Sequence, residues 1–227
     1  MNSIPAPEAP RVDAPAATGS FAAALKSATT ENHVRAERHP IQAAIVSGQI
    51  SREVYGRLVA QNRHVHEAME RGFDQASRGE PRLSAMFAAH HRRLANYDAD
   101  LAVFGVAEEH RAPLPAAHAA AGWIGSLAAS SPIALLGVLY VIEGSTNGGQ
   151  FLSRILSKAF GSAANAGLSS LDPHGGHTRE RWGAFRVGLD GLTLSTSECE
   201  AIIAAARETF DRIGAVMDDV VAATGAI

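Results

Sequence analysis

Two stretches of the chain carry residues that could do chemistry. In FAAALKSATTENHVRAERHP, His33 and Glu37 are four apart, which on a helix puts both side chains on one face, about 6 Å apart at Cβ. An imidazole so placed suits an axial metal ligand whose second ring nitrogen is held by the carboxylate, fixing tautomer and ring orientation. The same spacing also suits an ordinary surface pair on a helix. In YVIEGSTNGGQFL, Gly144, Gly148 and Gly149 interrupt an apolar run that otherwise reads as one buried helix. Three interior glycines cost about 3 kcal/mol relative to alanine. The missing side chains must therefore admit something: a close neighbouring helix, a kink, or a flat ligand against bare backbone.

Other reactive patterns are weaker. His64 and His66 point to different helix faces, His90 and His91 are adjacent, and His39, His110 and His118 are isolated. No HxxxH or ExxH occurs, which weakens a zinc or di-iron carboxylate reading. His174 and His177 in DPHGGHT are three apart in a loop, with no cysteine or further ligand close in sequence. Ser145 lacks the GxSxG context of a nucleophile elbow, and the glycines match neither GxGxxG nor a phosphate loop.

The elements that must position these residues are helices. From Phe21 onward the chain is rich in alanine, leucine, arginine and glutamate at helical spacing, without alternating β-branched runs. An all-α single domain over 21–227 follows, with helices expected at 21–38, 40–47, 51–78, 82–104, 114–129, 132–159, 178–190 and 197–223. Ser20, Ser51, Ser131-Pro132 and the Ser195–Ser197 cluster are the expected starts. The Gly-, Asn- and Ser-containing stretch 161–177 reads as a surface excursion, and the proline-rich residues 1–20 as a disordered tail. A net charge of −3 argues against capture of nucleic acid or an anionic membrane. The longest apolar run is about half the ~20 residues needed to span a bilayer. Cys199 is the only cysteine, so no internal disulfide forms, which fits a reducing compartment.

Taken together, LKSATTENHVRAE and YVIEGSTNGGQ resemble the heme oxygenase family, in its bacterial biliverdin-forming branch. The resemblance extends through RWGAFRVGLDGL and ARETF, covering most of 21–223. It implies that His33 is the proximal iron ligand and Glu37 its hydrogen-bonding orienter. Gly144, Ser145 and Gly148 would shape the oxygen side, with Ser145 and the Gly144 carbonyl holding water, and Gly149 would soften the same turn. Lys26 and Arg186 match propionate-facing cations, and Phe210 an aromatic of the pocket wall.

Ser145 stands where many members have aspartate, and Leu139 where some have a propionate-contacting aromatic, with Tyr140 one position off. The implied activity is cleavage of heme, both substrate and cofactor, to biliverdin, carbon monoxide and ferrous iron. It would use dioxygen and an external electron donor such as a ferredoxin or a flavoprotein reductase. A cytoplasmic setting is expected, with a bilin-binding photoreceptor as one acceptor of product. A non-catalytic heme carrier or sensor on the same scaffold, and a thiaminase-like hydrolase without heme, stay open as alternatives.

Overall fold

The computed structural model describes residues 19–161 and 166–225; the expected N-terminal tail falls mainly on residues 1–18, outside them. Nine α-helices account for the fold among the described residues: α1 Phe21–Glu37, α2 Pro40–Val46, α3 Arg52–Ala76, α4 Pro81–Met86, α5 Leu94–Phe104, α6 Pro115–Ser130, α7 Leu135–Phe160, α8 Thr178–Asp190 and α9 Thr196–Thr224. No described helix is long and apolar enough to cross a membrane. The expected serine caps hold three starts. Ser20 Oγ accepts from Ala23 N, Ser51 Oγ from Val54 N, and Ser195 and Glu198 form a reciprocal capping box.

α7 is the spine. Its first half, Leu135–Ile142, is buried in a cluster built with α6, α8, α9 and the later turns of α3. Its second half enters a separate cluster through Leu156, together with Ile41 and Ile45 of α2, Tyr55 and Leu58 of α3, and Leu168. The glycine stretch lies between these two cores. The tight crossing with α9 is elsewhere: a Cβ at Gly137 would stand 2.2 Å from the Ile202 carbonyl oxygen, so α7 and α9 touch backbone to backbone there.

Two sequence expectations need correcting. The stretch 82–104 is not one helix. It breaks into α4, a 3₁₀ turn at Ala89–His91 and α5. The cause is long-range: the buried Glu70 carboxylate of α3 accepts from Arg93 N at 2.7 Å and Leu94 N at 3.2 Å, capping α5 from another helix. The loop after α7 is also no surface excursion where it is described. Leu168 is fully buried, and the Asp100 carboxylate of α5 accepts from Ser169 N, Ser169 Oγ and Ser170 N at 2.7–2.9 Å. A carboxylate that satisfies three donors ties this loop to α5 as firmly as a short helix would.

Candidate active site

α1 and α7 meet at one point and then part. The Tyr140 hydroxyl lies beside the Thr29 hydroxyl, which donates to the Leu25 carbonyl at 2.8 Å. Further along, the end of α2 rejoins α7, where Gly48 lies against Ile155 and Ala159. Both segments run in the same direction between these two contacts. One turn beyond Thr29 stands His33, and one turn beyond Tyr140 stands Gly144. Between these contacts each helix presents exposed residues, and the slot that the expected site requires would lie between them. His33 and Glu37 on one lip are 57% and 66% exposed at their side chains, and Phe151 on the other is 59% exposed.

The residues on the α1 lip are arranged around the imidazole. His33 Nδ1 lies 3.4 Å from Glu37 Oε2, leaving Nε2 on the far side of the ring. Phe210 of α9 meets the His33 ring edge-on with centroids 5.8 Å apart, which sets its tilt. Lys26, seven residues earlier, is exposed on the same side of α1.

The α7 lip has no Cβ at two successive turns. A Cβ at Gly148 would meet only the Leu152 tip at 4.0 Å, and one at Gly144 would touch the Trp182 ring at 3.4 Å. Tyr140 begins this face and Phe151 continues it. Gly149 belongs to a different contact, about 100° round the helix. A Cβ there would lie 2.0 Å from the Leu171 carbonyl oxygen, so Gly149 lets the loop after α7 press on the helix and does not face the slot. We expect Gly149→Ala to lower stability by about 1–3 kcal/mol through overpacking. Gly148→Ala, in open space, should raise it by up to about 1 kcal/mol through helix propensity. Urea denaturation of the two variants checks this contrast.

The side chains nearest the glycines are already partly committed. Ser145 Oγ donates to the Ile142 carbonyl at 2.7 Å, and the Gly144 carbonyl accepts from Asn147 Nδ2 at 2.8 Å. The water expected at these two groups thus meets the lone pairs of an exposed Ser145 hydroxyl and a carbonyl with one position filled. At the head of the slot Tyr140 packs on Trp182, and Trp182 stacks on Phe185, with centroids 5.4 and 5.7 Å apart. Burial raises the Tyr140 pKa, while the Thr29 hydrogen bond and the nearby Arg186 charge pull it down. Arg186 is exposed, and its charge reaches Tyr140. Leu139 is fully buried in the core; nothing at that position reaches the slot.

Sequence reasoning missed a buried polar knot directly behind the glycine strip. Glu143 precedes Gly144 and is fully buried, with Oε2 accepting from Arg93 Nη2 at 2.5 Å and Oε1 paired with His174 Nε2 at 2.7 Å. Burial alone would raise the Glu143 pKa, but the His174 hydrogen bond and the Arg93 and His174 charges outweigh it and hold the carboxyl down to about 2. His91 is pushed down to about 4, chiefly by burial. The histidines that look scattered along the chain thus do group: His90, His91 and Glu143 bring ligand atoms within 4.8 Å of one another, and His174 joins at Glu143.

Two concavities, about 560 Å³ on the outer flank of α1 and about 460 Å³ between α1 and α9, open widely to solvent. Neither is lined by His33 or by the glycines of α7.

An imidazole with its carboxylate on the first helix, and a long helix without side chains at two successive turns, are the features to compare with known proteins. The heme oxygenase family model matches residues 19–219. The chain belongs to the heme oxygenase family. Among solved structures, the heme oxygenase of Leptospira interrogans superimposes with a TM-score of 0.81 at 23% identity, covering 88% of this chain and 98% of that one. Heme oxygenase-2 of the cyanobacterium Synechocystis, in complex with heme and NO, gives 0.83 at 24% identity, covering 91% and 88%. A TenA homologue from P. horikoshii shares the fold at 0.69 and 14% identity, covering 89% and 98%. No curated protein matches. Heme oxygenase family membership and the all-α heme oxygenase-like fold expected from the sequence are thus both shown, and identities this low carry the fold alone.

Proposed function

We propose that this protein cleaves heme to biliverdin, carbon monoxide and ferrous iron, using dioxygen and electrons from an external donor such as a ferredoxin or a flavoprotein reductase. The observation that supports this best is the pairing of an exposed His33, with Nδ1 beside Glu37, and the Cβ-free Gly144–Gly148 face on the other lip of the same slot. The residues present fit a flat, largely apolar anionic macrocycle. Phe151, Leu152 and Phe210 offer apolar surface, and Lys26 and Arg186 offer exposed cations for carboxylates.

Heme, when bound, supplies the iron that activates dioxygen. His33 Nε2 would hold that iron, with Glu37 accepting from Nδ1–H so that the neutral tautomer presents its lone pair in the right direction. Phe210 limits rotation of the imidazole. Gly144 and Gly148 let the α7 backbone come within van der Waals reach of the ring. Ser145 Oγ, whose proton is given to Ile142, accepts a hydrogen from water on the oxygen side and so places that water beside the strip. No acidic or basic side chain lies on this face between Gly144 and Phe151, so a bound heme would meet no side-chain acid or base there. Without a described membrane-spanning helix, a cytoplasmic role supplying bilin to a photoreceptor, or recovering iron, completes the reading.

The committed Ser145 hydroxyl favours one alternative, a heme carrier without turnover. A hydrolase of the TenA kind has less support. The chain's one thiol, Cys199, has its pKa raised by burial and then by the Glu198 charge, and it lies at the start of α9. Heme-loaded protein given reductant and oxygen should lose its Soret band and yield a bilin. A spectrum that persists through reduction and aeration would leave the carrier.

A further inference from the structure

We propose that Trp182 decides which bridging carbon of heme is opened: the edge of its indole closes the glycine strip at Gly144 and so fixes how the macrocycle is turned in its own plane. This rests on the heme cleavage proposed above. The three atoms that a Cβ at Gly144 would meet first, outside the α7 backbone, all belong to Trp182: Cη2 at 3.4 Å, Cζ3 at 3.7 Å and Cζ2 at 3.8 Å. These are ordinary contact distances, so alanine would fit beside the indole and Trp182 by itself does not call for a glycine. One turn on, a Cβ at Gly148 would meet only the Leu152 tip at 4.0 Å. The strip is therefore covered at one end and bare at the other. A flat ligand lying on the α7 backbone at Gly148 and reaching towards Gly144 ends where the indole begins.

The wall is fixed from behind. Trp182 stacks on Phe185, with centroids 5.7 Å apart and the planes 19° from parallel, and Phe185 is itself buried in the core. Tyr140 packs on the indole from α7, and the far end of α8 is tied to α1 where Asp190 Oδ1 accepts from Ala22 N at 2.8 Å. Close-packed neighbours of this kind do not give way to a guest cheaply. The edge turned towards Gly144 carries only C–H groups, so it excludes by shape and offers no hydrogen bond. Arg186, exposed, lies one turn further along α8 on the same side as Trp182. Heme has its two carboxylates on one edge, so a cation that holds that edge, beside a wall that blocks the neighbouring one, leaves one in-plane orientation. A ring so turned presents one of its four bridging carbons to the oxygen side.

The test loads the full-length protein with hemin and reads it in two ways. Proton NMR shifts of the heme methyl groups in the cyanide complex report in-plane orientation without turnover, and chromatography separates the bilin isomers formed with reductant and dioxygen. The wild type should give one dominant methyl pattern and one dominant isomer. Trp182→Ala should keep the histidine-ligated Soret band, add a second methyl pattern and raise the minor isomers about tenfold or more, the discrimination that a single apolar contact supplies. Trp182→Phe, which retains an aromatic ring on Phe185 and so the packing of α8, should shift both readouts the same way. Trp123→Phe, on α6 beneath Arg212, should leave both unchanged. A wild-type methyl pattern and isomer ratio in both Trp182 variants overturn the proposal and leave heme cleavage standing, as does a wild type that already gives mixed isomers. Hemin-loaded protein that forms no bilin refutes heme cleavage instead, and the methyl patterns alone then decide whether Trp182 sets the orientation. Failure to bind hemin overturns both.

Discussion

His33→Ala should abolish the histidine-ligated heme spectrum and bilin formation while changing stability by no more than about 0.5 kcal/mol. The two effects separate because of where the residue sits. Its side chain is more than half exposed, its carboxylate partner is equally exposed, and its one ring contact is an edge of Phe210. Removing it opens no cavity and strands no buried group, so circular dichroism and urea midpoints should match the wild type. Hemin titration followed by product analysis is the decisive measurement. An unchanged Soret spectrum in the variant would mean that iron is held elsewhere.

Glu143→Ala should show the opposite pattern, a loss of about 3–5 kcal/mol of stability, because it leaves Arg93 as an uncompensated buried charge and His174 without its acceptor. The same knot makes the fold acid-sensitive, with a definite sign. Glu143 has its folded pKa depressed from 4.5 to about 2, so its contribution is present above about pH 4.5 and is lost as pH falls towards 2. His91 is depressed from 6.5 to about 4. The unfolded chain therefore takes up that proton first, and stability falls as pH drops from about 6.5 to 4. Each shift is equivalent to about 3 kcal/mol. Urea unfolding at neutral pH and at about pH 4 should show the His91 loss, and Glu143→Ala should have a shallower decline below about pH 4.5 than the wild type. A wild-type stability independent of pH across this range would refute the assignment.

What could be read in the sequence was what is local. Serine caps act within three residues, and the His33/Glu37 pair within one turn, so both appear in the structure where the spacing puts them. The glycine strip was visible as an anomaly, but the purpose of each glycine depends on its neighbour in space. Gly148 looks onto open space, Gly149 onto the Leu171 carbonyl and Gly137 onto α9, and nothing in the chain near them says so. The break before α5 was hidden for the same reason, because the cap is a carboxylate 23 residues away. Trp182 and the His90–Glu143–His174 grouping were missed because their partners come from different helices and loops. A glutamate inside an otherwise apolar run was the one available hint, since an unpaired carboxylate is not tolerated there.

Arg35 and Asn32 reach Asp211, Asn32 also reaches the Arg207 carbonyl, and His39 reaches Asp218. These exposed tethers are what fasten the later turns of α1, since its buried residues, Ala22, Leu25 and Thr29, all precede His33. The opposite lip is anchored in two hydrophobic clusters and bound to the clamped loop at Leu171. The end of α1 is therefore held by contacts at the surface, and α7 by contacts in the interior. Salt, which screens exposed ion pairs and leaves apolar packing untouched, should therefore loosen the end of α1 before it loosens α7.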